Sequence, residues 1–174
     1  EKSGFKPDDW VSIINDPRVE NNYNQSYRVK YLGNVKDLHV GWINMNMNRL
    51  KELTKNSIDQ KMPVWFGCDV SSDRDKSSGV EDVNIIDYSI VGMDDSNMDK
   101  ESRLRSFSSL PNHAMLITGY HIEDNAVKRW KVENSWGKSS GTEGHLIMTD
   151  RWMDEYVFQI LVNKSLLTKE ELEM

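Results

Sequence analysis

Cysteine is nearly absent from this sequence, because the 174 residues contain only one, at position 68. A single thiol cannot close an internal disulfide, so the small secreted folds that depend on disulfides are excluded and a reducing compartment is expected. We therefore expect a cytoplasmic protein. Long apolar runs are also absent, since no segment reaches the roughly 18 residues that a membrane-spanning helix requires, and no membrane association is expected.

The first ten residues, EKSGFKPDDW, contain no apolar segment of the kind that forms the core of a signal peptide. The chain starts at Glu1 rather than at a methionine, which we interpret as a start within a longer protein. A length of 174 residues fits one domain or slightly more, with enough chain to bury a sizeable core.

Positive charge is in the minority, with 22 Lys and Arg against 28 Asp and Glu and a net charge of −6. This balance argues against a nucleic-acid-binding surface on this chain. Residues 69–101 carry ten acidic and three basic side chains, and so hold −7 by themselves. Two interpretations stay open for this acidic stretch: a solvated loop, or a surface that steers positively charged peptide N-termini toward a cleft.

Residue periodicity predicts both helices and strands, and hence an α+β fold. Residues 8–18 are predicted to form a short helical turn that ends before Pro17, and residues 46–60 are predicted to form a helix. Residues 71–84, rich in Ser, Asp and Gly, are predicted to form an exposed loop. Strands are expected at 26–35, 63–70, 114–122, 127–136, 143–149 and 156–163.

Two segments in the second half of the chain carry residues typical of a catalytic site. PNHAMLITGY places His113 before an apolar run, and VENSWG places Asn134, 21 positions later, at the end of the next run. A histidine can act as a base near neutral pH, and an amide can orient its ring. Taken singly, His113 is more simply a core or edge histidine, and Asn134 is more simply part of a turn. Pairing of the two apolar runs would bring His113 and Asn134 side by side, and the two residues together favour a thiol-peptidase site.

These two segments resemble the histidine and asparagine regions of papain-like cysteine peptidases, and more narrowly the bleomycin hydrolase and bacterial aminopeptidase C family. The narrower resemblance also rests on DWVSIINDPR, PVWFGCDV, DKSSGV and MDKESRLRSFSSL, and extends from about residue 5 to about residue 170. It implies the α+β, papain-like cysteine peptidase fold. Residues 1–174 would form mainly its right-hand, antiparallel, β-rich and barrel-like domain, with one or two helices.

The resemblance implies a role for each residue of the histidine and asparagine segments. His113 would be the general base, and Asn134 would orient its imidazole ring. Trp136 would cover the hydrogen bond between them and keep water away from it, which strengthens the bond in a lower dielectric.

The substrate implied by the resemblance is a peptide from which the amino-terminal residue is removed. The carbonyl of Asn112 and the side of Ala114 would border this peptide, and Gly67 would lie near the wall of the S2 subsite. In the family, a C-terminal tail enters the cleft and receives the free amine. This sequence ends at LLTKEELEM, where family members usually continue, so the exopeptidase specificity stays open. No cofactor is implied.

The nucleophile of such a site is missing from the sequence. In the family, the catalytic cysteine lies in a Gly-Arg-Cys-Trp-like segment that opens a long helix, and a nearby glutamine helps to form the oxyanion hole; neither is present here. Cys68 lies in a predicted strand beside Asp69, which would raise its pKa, so it is interpreted as a buried structural thiol. The protein's own N-terminal, Cys-bearing half is therefore the expected partner, and this chain alone should be inactive.

Two alternatives remain for the whole protein. The first is a cysteine-type aminopeptidase, for which the resemblance also implies a homohexamer that encloses its active sites. The second is a non-catalytic binding or assembly module that keeps the papain-like fold without the chemistry. The other histidines, His39, His121 and His145, lack carboxylates or thiols at ligand spacing and are interpreted as structural or surface residues. No metal site is predicted.

Overall fold

The structure is a computed structural model that describes residues 6–29, 40–92 and 98–174. Four α-helices of the described residues, α1 to α4, lie in chain order at Met47–Asp59, Lys100–Arg105, Asp150–Tyr156 and Lys169–Leu172. Ten strands, β1 to β10, lie in chain order at Trp10–Ile14, Gln25–Arg28, Gly41–Asn44, Val64–Cys68, Arg74–Asp75, Val80–Glu81, His113–Glu123, Ala126–Glu133, His145–Thr149 and Val157–Asn163. The predicted α+β class is confirmed.

The ten strands form one mixed sheet with the order β2-β3-β1-β10-β4-β7-β8-β9-β6-β5. Its neighbouring strands are antiparallel except for two parallel pairs, β1 with β3 and β6 with β9. Within the described ranges β2 and β5 are the two edges and do not pair with each other, so the sheet is open. The barrel-like closure expected from the resemblance is therefore wrong. Strand β5 has only two residues, which is too short for a ladder that would close a barrel.

Helix α1 packs against the middle of the sheet, where it contacts β4, β7 and β10. Its apolar side chains Leu50 and Leu53 are fully buried there. Asn46 caps its N-terminus, because the side-chain oxygen accepts a hydrogen bond of 2.9 Å from the Arg49 N–H. The helix predicted over residues 46–60 is confirmed. In the described part of the chain, no helix is both long and apolar enough to cross a membrane.

The helical turn predicted over residues 8–18 is wrong except at Asp8 and Asp9, which end a short 3-10 helix at Pro7–Asp9. The apolar part of residues 8–18 is strand β1, which pairs antiparallel with β10 and parallel with β3. Ile13 is fully buried in the resulting sheet. Burial and hydrogen bonding on both edges of the strand therefore outweigh the local preference, as tertiary context often does for short apolar runs.

Other predicted elements differ in detail. Only the first part of the strand expected at residues 26–35 is described, as β2, and residues 30–39 lie outside the described residues. Residues 71–84 include the short strands β5 and β6 rather than a loop alone. The described residues also contain more than one or two helices, although only α1 is longer than seven residues.

Strands β7 and β8 form a long hairpin whose open end carries the two candidate site residues. At its closed end, Asp124 and Asn125 adopt left-handed φ angles of 52° and 60°, which suit a tight two-residue turn. The register runs from Glu123 opposite Ala126 to Leu116 opposite Glu133. His113 starts β7 and Asn134 directly follows β8, so both residues lie at the same end of the hairpin.

Lys100, the first residue of α2, is a buried cation that joins three parts of the chain. Its ammonium donates hydrogen bonds to Asn15 Oδ1 at 2.7 Å, to the Asp154 carbonyl at 3.0 Å and to the Val157 carbonyl at 2.6 Å. Burial lowers the pKa of Lys100 to about 7. These bonds attach the start of α2 to the segment after β1 and to the junction of α3 with β10.

We expect Lys100→Met to lower the free energy of unfolding by about 2–4 kcal/mol, because three buried oxygens lose their donor. Urea unfolding followed by far-UV circular dichroism measures this change. The matched control is Lys128→Met on the exposed side of β8, which should change stability by less than about 0.5 kcal/mol. Equal effects of the two substitutions would contradict the anchoring role of Lys100.

Candidate active site

His113 lies at the border between the core and the surface. Its Cα partner on β4 is Cys68, and the next pair on the same face, Met115 with Phe66, is buried. The imidazole is half-buried because the sheet ends beside it. Directly opposed residues of an antiparallel pair lie on the same face, so the core under His113 sets the direction of its side chain.

The His113 ring is hydrogen-bonded to Asn134, with 3.0 Å between Nε2 and Oδ1. An amide oxygen can only accept, so Nε2 donates the proton and Nδ1 is left for acid–base chemistry. Asn134 is itself fixed, because it is buried, its Oδ1 also accepts from the Ser135 N–H, and its own N–H donates to the Gly144 carbonyl. Its Nδ2 is buried with no hydrogen-bond partner in the described residues.

Trp136 stacks on the His113 ring. The ring centroids are 4.6 Å apart and the two planes are inclined by 27°. The indole is 42% exposed, so it covers one side of the imidazole while its own outer part faces solvent. The guanidinium of Arg74 also lies over the indole, 4.6 Å from its centroid. Neither the role nor the position of Arg74 was anticipated from the sequence.

Asp69 organises the chain that leads into His113. This carboxylate is 3% exposed and accepts several hydrogen bonds. Its donors are the hydroxyls of Ser71, Ser72 and Ser109, the Ser71 N–H and the side-chain amide of Asn112. Burial alone would raise the pKa of Asp69, but the bonds from Ser71, Ser109 and Asn112 outweigh it and hold the pKa below the usual 3.8.

Asn112 is the residue through which this network reaches the site. Besides its bond to Asp69, its side-chain oxygen accepts from the Val70 N–H at 3.0 Å, and its own N–H donates to the Cys68 carbonyl at 2.9 Å. The side chain of Asn112 is therefore engaged with the turn after β4. Sequence reasoning assigned only its carbonyl a role and did not identify Asp69, for which the acidic stretch gave no specific signal.

Gly67 and Ala114 lie on the face of the sheet opposite to His113. They are directly paired across β4 and β7, and on the other side Gly67 pairs with Gln159 of β10. A Cβ added at Gly67 would lie 3.7 Å from the Cβ of Gln159, an ordinary van der Waals distance, so Gln159 directly borders Gly67. The Gln159 amide is held by a 2.6 Å hydrogen bond to Ser12 Oγ. Sequence reasoning did not identify Gln159 as the neighbour of Gly67.

Cys68 is fully buried in the core. Burial raises the pKa of its thiol, and the neighbouring carboxyl groups of Glu81 and Asp69 raise it further. A reactive cysteine needs the opposite environment, exposed and electropositive. These properties are those of the structural thiol that the sequence predicted.

The other histidines and the acidic stretch are partly described. His39 lies outside the described residues, His121 is exposed and His145 is half-buried. Among the residues that the structure describes, no group of three or more His, Cys, Asp or Glu side chains is arranged to hold a metal ion.

The solvated-loop interpretation of residues 69–101 is wrong for Asp69 and Glu81, which are 3% and 1% exposed.

We expect Cys68 to react with limiting iodoacetamide at about pH 6 on the order of 100-fold more slowly in the folded protein than in denaturant, because the sulfur is buried. Peptide mass spectrometry measures the labelled fraction at Cys68. Fast labelling that is abolished by His113→Ala would instead make Cys68 the thiolate partner of that histidine.

We expect Asp69→Asn to lower the free energy of unfolding by about 1–3 kcal/mol, because an amide cannot accept all the hydrogen bonds that converge on the carboxylate. The stabilisation by Asp69 is complete above its ordinary pKa of 3.8 and decreases as the pH falls below that value. Urea unfolding at pH 7 measures the loss, and hydrogen exchange of residues 106–112 should rise. Asp124→Asn at the exposed hairpin turn is the control; an equal effect there would refute a special role for Asp69.

Comparisons with known proteins identify relatives of this chain. The model of the Peptidase C1-like family matches residues 1–174. Aminopeptidase C of Lactococcus lactis subsp. lactis (strain IL1403) is 40% identical over 174 residues, and bleomycin hydrolase of Gallus gallus is 40% identical over 179 residues; the alignments cover 99% and 98% of this chain. The crystal structure of PepW from Lactobacillus rhamnosis HN001 matches 98% of the chain with a TM-score of 0.92 and 36% identity. The chain spans only 40%, 39% and 38% of these three proteins. The family resemblance and the fold inferred from the sequence are confirmed.

Proposed function

Because the chain belongs to the Peptidase C1-like family, we propose that it carries the general base of a cysteine-type aminopeptidase related to aminopeptidase C and bleomycin hydrolase. The observation that supports this most strongly is the 3.0 Å contact between His113 Nε2 and Asn134 Oδ1, beside the stacked Trp136. This contact leaves Nδ1 of the imidazole available to exchange a proton with a nucleophile.

The nucleophile and the oxyanion hole are assigned to the protein's own N-terminal half. This chain spans about two fifths of its relatives, and Cys68 is too deeply buried to serve. The Cys-bearing half would dock with its thiol near Nδ1 of His113. Two exposed apolar side chains suited to that contact lie a few residues before His113. They are Phe107, which is 75% exposed, and Leu110, which is 44% exposed.

In the proposed reaction the thiol and His113 form a thiolate–imidazolium pair before substrate is attacked. The thiolate adds to the carbonyl carbon of the peptide's first residue, and the imidazolium gives its Nδ1 proton to the departing amine. Water then attacks the thioester while His113 Nδ1 takes its proton. Expulsion of the thiolate releases the amino acid and restores the ion pair.

Asn134 and Trp136 assist this proton transfer without touching the reacting atoms. The hydrogen bond to Asn134 fixes the tautomer and the rotation of the imidazole, so that Nδ1 keeps one direction through both steps. The Trp136 indole covers the same bond and lowers the local dielectric around it, which strengthens the hydrogen bond. A neutral amide suffices as the orienting group, because the thiolate already balances the charge of the imidazolium.

The peptide substrate is assigned to the face that bears Gly67 and Ala114. Gly67, with Gln159 beside it, would form the wall of the S2 subsite, and the Asn112 carbonyl would border the peptide. Amino-terminal specificity, a cytoplasmic location and assembly into a homohexamer belong to the same proposal. Steering of substrate N-termini by the exposed part of residues 69–101 also stays a prediction.

The second candidate function is a non-catalytic binding or assembly module with the same fold. The unpaired Nδ2 of buried Asn134 suits an incomplete site that another part of the protein completes, and so fits either function. The sequence that precedes residue 1 distinguishes them. A cysteine in a Gly-Arg-Cys-Trp-like segment supports the peptidase, whereas serine or glycine at that position supports the binding module.

In the full-length protein, we expect His113→Ala to lower kcat/KM for an aminoacyl fluorogenic substrate by about 10²–10⁴-fold, because the general base is lost. Asn134→Ala should cost about tenfold, the rate equivalent of one hydrogen bond. Both follow from initial rates at pH 7. His121→Ala, at an exposed position of β7, is the control and should leave the rate unchanged. Activity that survives His113→Ala would exclude the proposed base.

A further inference from the structure

Glu81 is a buried carboxyl group beneath the candidate site, and neither of its oxygens has a hydrogen-bond partner in the described residues. Its side chain is 1% exposed. Burial raises the pKa of Glu81 to about 8, with Arg74 opposing the rise. A buried carboxyl group normally acquires a partner, because an unsatisfied polar group weakens the fold. The absence of one at Glu81 requires an explanation.

Arg74 is the obvious partner, yet it is engaged elsewhere. The two residues are directly opposite across β5 and β6. Nevertheless the Arg74 guanidinium lies over the Trp136 ring, 4.6 Å from its centroid, and donates to the Val70 carbonyl at 3.3 Å. The Arg74 guanidinium therefore has two alternative partners, the exposed face of the Trp136 indole and the buried carboxyl group of Glu81.

The Trp136 indole needs a further contact to stay on the His113 ring. It follows the end of β8, is 42% exposed, and precedes Gly137, whose φ of 86° turns the chain away. The ring contacts described for its indole are those with His113 and Arg74. An indole in this position can rotate away from the imidazole unless something on the surface holds it.

We propose that Arg74 is a positioning residue that holds Trp136 against His113, and that the Glu81 carboxyl group competes with Trp136 for the Arg74 guanidinium. The kinetic part of this inference rests on the proposed peptidase function; the structural part does not. When Glu81 is neutral, Arg74 stays on the indole. When Glu81 is ionised, its charge attracts Arg74 and releases the indole from the imidazole.

The surroundings of Glu81 determine how this competition depends on pH. Its charged or titratable neighbours are Arg74 on β5 and the Cys68 thiol on β4, and Asp75 and Lys76 line the small cavity beside it. From β9 it faces the uncharged Met148. Among these, the Glu81 carboxyl is the group that changes charge near pH 8. Raising the pH through this range should therefore loosen Trp136.

The experiment labels tryptophans of the full-length protein with a water-soluble hydroxynitrobenzyl sulfonium reagent, and peptide mass spectrometry reads each site. Trp65, 40% exposed on another part of the sheet, is the internal reference for the labelling of Trp136. Trp130 and Trp152, both fully buried, report the integrity of the fold, because they stay unlabelled in any folded variant. The measured quantity is the ratio of Trp136 to Trp65 labelling.

Arg74→Gln should raise this ratio about two- to fivefold at pH 7, the change expected when a cation over an indole is removed. Arg74→Lys should give most of the same rise, because an ammonium keeps the charge but lacks the planar face. Arg129→Gln, an exposed arginine on β8, is the matched control and should leave the ratio unchanged. If both Arg74 variants give the same ratio of Trp136 to Trp65 labelling as the unmodified protein, the positioning role of Arg74 is overturned.

Glu81→Gln tests whether Glu81 competes for Arg74, separately from the support that Arg74 gives to Trp136. In the unmodified protein the labelling ratio should rise between pH 7 and pH 9, whereas in Glu81→Gln it should stay low throughout. A flat ratio in the unmodified protein, or an equal rise in the variant, would overturn the role of Glu81.

Kinetics supply the second readout: Arg74→Gln should lower kcat several-fold and leave KM nearly unchanged, because the indole touches the base and not the peptide. A change in KM alone would contradict this. Absence of any peptidase activity in the unmodified protein would refute the proposed function, while the labelling ratios would still decide the role of Arg74.

Discussion

Hydrogen bonding along both edges of β7 is the constraint on which the site depends. On one edge β4 sets Cys68 opposite His113, and on the other β8 carries the chain to Asn134. Side chains alternate along a strand, so a slip of one residue would turn His113 to the opposite face. Met115 and Ile117, buried on the same face as His113, oppose such a slip. Core packing therefore fixes the direction of a surface imidazole.

The segment that enters β7 is held in the same way, by polar groups buried at both of its ends. Lys100 attaches the start of α2 to three oxygen acceptors, and Asp69 gathers the hydrogen bonds of Ser109 and Asn112 just before His113. Lys100 and Asp69 are both well supplied with hydrogen bonds, which is the condition under which burial of a charge is tolerated. His113 thus follows a segment that is anchored at both of its ends.

Features with a strong local signal could be predicted from the sequence. These were α1, the buried strand β4, the strands β7 to β10, and the His113–Asn134 pair with its stacked tryptophan. Strand β1 could not be predicted, because its five residues, four of them apolar, become a strand only by pairing with β10 at the far end of the chain. Asp69 and Glu81 were hidden in a stretch whose composition is that of a solvated loop. Composition counts charges but does not tell which of them are buried.

Two of the buried ionisable residues, Lys100 and Glu81, differ in their hydrogen bonding. Lys100 finds three acceptors, so its burial serves to join segments. Glu81 has no hydrogen-bond donor among the described residues, although Arg74 lies directly opposite it on β5. A carboxyl group in that position weakens the fold at neutral pH, because the unfolded chain can ionise it freely and the folded chain cannot. Packing therefore gives no reason for its charge, whereas its position opposite Arg74 connects it to the imidazole through two intermediate residues, Arg74 and Trp136.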